Sequence, residues 1–259
     1  GRELTTAHRD AQIRVGARAE IEARALWDRL DIDDLDGSKP YWLASTAIAV
    51  SRRMAESQRV AAEYLSEFRL AELGAAGAVV LAAPTETARA LSLAGPTRVK
   101  RLIGAGMDSA DAFEAALTKF GGIVRRQAMM GGRLTVAATA GRDRRAVGWR
   151  RVTDGNPCAF CAMLASRGPV YRDAAAADGI QYHSYCGCTA EPAYSYAWEP
   201  TADEERYMDA YGEARALVAA NGKAINTKKL LAAMRQNGGF RDSPLSLIHI
   251  SEPTRLLSI

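Results

Sequence analysis

All four cysteines of the 259-residue chain fall between positions 158 and 188, in the order Cys158-x-x-Cys161, twenty-one residues, then His183-x-x-Cys186-x-Cys188. Two thiol groups, one with an added imidazole, separated by a loop of that size, suit a tetrahedral site built from four N or S ligands. A module this small cannot bury a large core, and a staple among these side chains is what would hold it. Structural Zn²⁺ is the ion such a set fits. A CxxC turn aims two sulfurs at one point, so Cys158 and Cys161 are the first two ligands. A CxC step in an extended strand sends both sulfurs to one side, and two of His183, Cys186 and Cys188 complete the four. Three other readings compete: a disulfide framework, a thioredoxin-like redox pair and an unligated set of buried thiols. The first conflicts with a reducing cytosol. The second lacks the alternating strand and helix pattern that surrounds such a motif.

The rest of the chain reads as a helical body. Apolar positions Ile13, Ala17, Ile21 and Leu26 predict a first helix over residues 4–30, stopped by the polar cluster 31–39. Pro40 suits a helix start. Leu43, Ala47, Val50, Met54, Ala61, Leu65 and Phe68 then form one stripe of a long second helix. Short helices are expected over residues 85–94 and 97–103. Asp108 is the expected N-cap of another helix, with Met129 and Met130 as core filler. The glycine pairs 121–122 and 131–132 should interrupt or bend it. Residues 147–153 predict a strand, and Asp154-Gly155-Asn156-Pro157 a turn. Thr201-x-x-Glu204 is a capping-box pattern opening a further helix, and residues 227–236 form the last one. The fold class expected is mainly α: a long-helix N-terminal body, a small α+β module stapled by the Cys/His cluster, then short helices. The domains expected are residues 1–141, 142–200 and 201–244.

Composition narrows the class further. At 48% hydrophobic and 25% charged the chain is ordinary globular protein. Its longest apolar run, Ala75 to Ala83, is broken by Gly77 and far short of the roughly 18 residues a membrane span needs. Without a secretory pattern the chain is expected in the cytoplasm, truncated at both ends. The net charge of +4 hides a segmental contrast. Arg125, Arg126, Arg133, Arg142, Arg144, Arg145, Arg150 and Arg151 stand against Asp143 alone, and residues 152–209 then hold nine acids against three arginines. Arg142, Arg144, Arg145, Arg150 and Arg151 are candidate contacts for phosphates or for an acidic partner. No catalytic set is expected: His183 and a thiol could be drawn as a dyad, but the imidazole serves more economically as a ligand, and no GxSxG, P-loop or HExxH occurs. His8 reads as a surface helix residue.

The stretch Gly148-Trp-Arg-Arg-Val-Thr-Asp-Gly-Asn-Pro-Cys-Ala-Phe-Cys161, continued by Gly168-Pro-Val-Tyr171 and His183-Ser-Tyr-Cys-Gly-Cys188, resembles the Mu F-like minor head proteins of tailed bacteriophages, particularly those of actinobacteria. Ser184 stands where that family usually has Pro. The resemblance implies a minor capsid protein of head morphogenesis, expected in the capsid interior and, during assembly, in the host cytoplasm. The partners it implies are the portal protein, the scaffold or major capsid protein, and packaged DNA; no membrane is involved. Some members carry the label capsid maturation protease, which is the enzymatic alternative, and an independent DNA-binding virion protein is a second. The C-terminal run from Leu245 to Arg255 resembles a translated transposase adaptor from sequencing libraries, so residues 245–259 are expected to be a non-native tail.

Overall fold

A computed structural model describes residues 1–240 apart from 84, 173–180 and 221–225. The expected non-native tail lies outside the described residues. The chain forms two compact units: Gly1–Thr135 with His183–Tyr185, and Val136–Tyr182 with the residues from Cys186 onward.

In the first unit, α1 (Arg2–Arg24) leads through a 3₁₀ turn (Trp27–Arg29) to the 39-residue α2 (Leu35–Leu73). The helix α2 begins five residues before Pro40, because Asp34 caps it by accepting from the Gly37 N–H at 2.9 Å. Pro40 therefore sits inside the helix. The expected α2 stripe is buried at Val50, Met54, Ala61, Leu65 and Phe68. The buried face of α1 differs from the expected one: Thr5, His8, Gln12, Val15, Gly16, Ala19 and Ala23 point inward, while Ile21 is exposed. Polar partners on α2 decide this. Gln12 donates to the Ser57 carbonyl at 2.9 Å, Thr5 bonds the Tyr64 hydroxyl at 2.9 Å, and His8 stacks on Tyr64 with ring centroids 4.2 Å apart.

Helices α3 (Thr87–Ala94) and α4 (Pro96–Gly104) follow, then α5 (Ser109–Arg142), with Asp108 Oδ1 accepting from the Ala110 N–H at 2.8 Å. The glycine pairs do not break α5, which runs through all 34 residues. They are places of close approach: a Cβ on Gly131 would meet the Met54 carbonyl oxygen, and one on Gly132 the Gln12 amide. Met129 and Met130 are buried as filler. Trp27 is the hub of the core, in ring contact with Trp42, Phe113 and Phe120 at centroid distances of 5.7, 5.0 and 4.9 Å.

The second unit holds a two-stranded antiparallel sheet, β1 (Gly148–Val152) with β2 (Thr189–Ala193), in which Arg150 faces Glu191 and Arg151 faces Ala190. Tyr171 bridges to Trp149, its carbonyl accepting from the Trp149 N–H at 2.7 Å. The helix α6 (Ala159–Ala165) starts within the CxxC, and α7 (Ala202–Ala220) and α8 (Thr227–Gly238) complete the unit. Thr201 and Glu204 form the expected capping box, at 2.9 and 3.2 Å. The chain is mainly helical, with this small sheet and a Cys/His cluster beside it.

Candidate metal centre

Local structure explains how the sulfurs converge. Cys158 leaves the turn in extended conformation and caps α6, its Sγ accepting from the Cys161 N–H at 3.5 Å. One helical turn then carries Cys161 beside it. Cys186 and Cys188 lie just before β2, on a chain reversed at Tyr185, the one non-glycine residue with positive φ (60°) among those described. Gly187 between them admits Asp154, whose Oδ2 occupies the space a Cβ there would need.

None of the four cysteines is in a disulfide, and all are buried, with at most 7% of their surface exposed. Cys161 Sγ lies 3.6 Å from Cys186 Sγ. In a tetrahedron with metal–sulfur bonds of 2.3 Å, sulfurs lie about 3.8 Å apart. Cys161, Cys186 and Cys188 form a group that could hold a metal ion, with sulfurs within 4.8 Å of one another, while the half-buried His183 belongs to the first unit. His183 Nδ1 faces the Ser184 carbonyl at 2.7 Å, the geometry of an Nδ1–H donor.

Contacts among the sulfurs move two of their pKa values in opposite directions. Contact with Cys158 pushes the Cys161 thiol up, but hydrogen bonds with Cys186 and Cys188 outweigh it and bring Cys161 down to about 6. Cys188 is pushed up, first by its contact with Cys161 and then by that with Cys186. Arg151 is fully buried, with Nη1 3.6 Å from Cys161 Sγ. Burial alone would lower the Arg151 pKa; the Tyr182 hydroxyl and the facing sulfurs raise it beyond the usual arginine range.

The five candidate phosphate-contacting arginines separate. Arg142, Arg144 and Arg145 are exposed. Arg150 and Arg151 are buried, the first between Glu191 and Glu204 and the second against sulfur, so neither presents a guanidinium to an outside phosphate. His8, read from the sequence as a surface residue, is also buried, 3% exposed. Asp154, Gly187 and the inward turn of Arg151 escaped sequence reasoning. Strand alternation across Arg150-Arg151 was the available signal, since it forces one of two adjacent charges to the opposite face.

Residues 2–214 match the family described as VG15 protein, most of the chain. The chain belongs to that family. The VG15 match takes in β1, α6, all four cysteines and His183. Among curated proteins the chain is similar to the "Gene 15 protein" of Mycobacterium phage D29, 28% identical over 173 residues, covering 51% of this chain and 62% of the relative. The chain thus spans somewhat less than two thirds of the curated relative it matches. No solved structure matches it. A bacteriophage protein family is what the chain shares its sequence with, and among the described residues no helix is long and apolar enough to cross a membrane.

Proposed function

We propose that this VG15 family member is a non-enzymatic minor component of a phage head, of Mu F-like type, whose small module is held by one structural zinc ion. The observation that carries this reading is the buried sulfur cluster inside the segment that resembles the Mu F-like minor head proteins. The phage relative supports the setting. Zinc suits the site because it accepts a closed tetrahedral N/S set and brings no redox chemistry. Cys158, Cys161, Cys186, Cys188 and His183 supply the candidates for its four ligands. When bound, the ion crosslinks the start of α6 to the entry of β2, fixing a unit whose sheet has two strands. The helical unit would serve the portal and the scaffold or major capsid protein. Exposed Arg142, Arg144 and Arg145 would face packaged DNA, contributing affinity independent of base sequence.

Two measurements on the full chain test this. Elemental analysis of protein purified without chelator should find one zinc per chain, and EDTA should lower the melting temperature; trace zinc with an unchanged melting curve refutes the zinc assignment. Co-expression with the portal protein from the same phage genome should give co-purification at low and moderate salt. Its absence at both refutes the head-assembly role.

A further inference from the structure

Consecutive residues of β1 carry guanidinium groups, and the alternation of a strand sends them to opposite faces. Arg150 meets carboxylates, with Nε donating to Glu191 at 2.6 Å and Nη1 to Glu204. Arg151 meets sulfur. Its Nη1 points at Cys161 Sγ at 3.6 Å, its guanidinium carbon lies 3.8 Å from the Tyr182 ring centroid, and its Nη2 donates to the Gln181 carbonyl at 2.9 Å. No part of Arg151 reaches solvent. Arginine does not give up its proton in a protein, so a guanidinium buried this way is costly unless negative charge faces it. Four neutral thiols supply none, whereas thiolates do.

Charge balance then distinguishes the ligand sets. A divalent ion on four thiolates leaves a formal −2, and on three thiolates with a neutral imidazole a formal −1. A fixed buried cation stabilises the more negative set more. We infer that Arg151 is the internal counter-cation of a four-thiolate metal site, selecting Cys158, Cys161, Cys186 and Cys188 as ligands and leaving His183 outside the set. The inference rests on the reading of the cluster as a metal site. Arg151 touches no metal; it is a positioning residue that holds Cys161 through an N–H···S contact, as second-layer donors do around metal ligands.

The test uses the full chain loaded with Co²⁺, whose sulfur charge-transfer intensity counts thiolates and whose ligand-field bands shift when nitrogen replaces sulfur. Wild type should give a four-sulfur spectrum, and His183→Ala should leave it unchanged. Arg151→Lys, which keeps the charge, should retain it. Arg151→Met should lose metal to a competing chelator about tenfold more readily and move toward a three-sulfur spectrum. A wild-type spectrum of three sulfurs and one nitrogen overturns the inference without any variant, and remains decisive if Arg151→Met fails to fold. An Arg151→Met protein with wild-type spectrum and retention also overturns it. Wild-type protein that takes up neither Co²⁺ nor Zn²⁺ refutes the metal reading itself, a different failure.

Discussion

Gly131 is where the packing of the helical unit is most sharply exposed to test. An alanine Cβ at that position would lie 2.9 Å from Met54 Cγ and 3.1 Å from Gln58 Cγ, and closer still to the Met54 carbonyl oxygen. Ordinary van der Waals contact begins at 3.4 Å, so α2 must give by at least 0.5 Å, and the carbonyl belongs to backbone that cannot rotate away. Overpacking of this kind costs about 1–3 kcal/mol, toward the upper end against backbone. Alanine recovers roughly 1 kcal/mol of helix propensity. Gly131→Ala is therefore destabilised by about 2 kcal/mol, and its urea midpoint, followed by far-ultraviolet circular dichroism, falls by about 1 M for a typical slope near 2 kcal/mol/M. The same change at Gly212 in α7 meets nothing within 4 Å and has only the propensity gain, so Gly212→Ala stabilises by about 0.5–1 kcal/mol. A Gly131→Ala protein that unfolds at or above the wild-type midpoint refutes the close approach of α2 and α5.

Burial first, and then repulsion from Arg133, lower the His8 pKa to about 4 from an unfolded value of 6.5, against an opposing contact with the Val60 backbone. The folded state thus disfavours the proton. Stability is complete above pH 6.5 and falls as pH drops toward 4, by about 3 kcal/mol at 1.36 kcal/mol per unit. His8→Phe, which keeps a ring for Tyr64, should remove that part of the slope in unfolding midpoints measured from pH 7 to 4; an unchanged slope disproves it. In the second unit, Arg150→Met leaves Glu191 and Glu204 facing each other in a buried site and should cost about 3–5 kcal/mol. Adding Glu191→Gln and Glu204→Gln should restore most of the loss in thermal melts, and a triple variant as unstable as the single one counts against an ionic cause.

What was legible in the chain divides along a physical line. Patterns that act within one element came through: the α2 stripe, the Asp108 and Thr201 caps, and the turn at Asp154-Gly155. Patterns whose meaning lies in a partner did not. Gly121-Gly122 and Gly131-Gly132 weaken an isolated helix, yet α5 continues through them because tertiary packing outweighs propensity and values the missing Cβ. The inward face of α1 is poorer in large apolar residues than the face with Ile13 and Ile21, because Ser57 and Tyr64 on α2 hydrogen-bond Gln12 and Thr5, and the Tyr64 ring stacks on His8. Charge behaved likewise. Counting arginines from 125 to 151 suggested one basic surface, but strand alternation and burial turned Arg150 to carboxylates and Arg151 to sulfur, leaving Arg142, Arg144 and Arg145 outside. A run of like charges is thus a surface only where every member can reach solvent, and in β1 neither Arg150 nor Arg151 can.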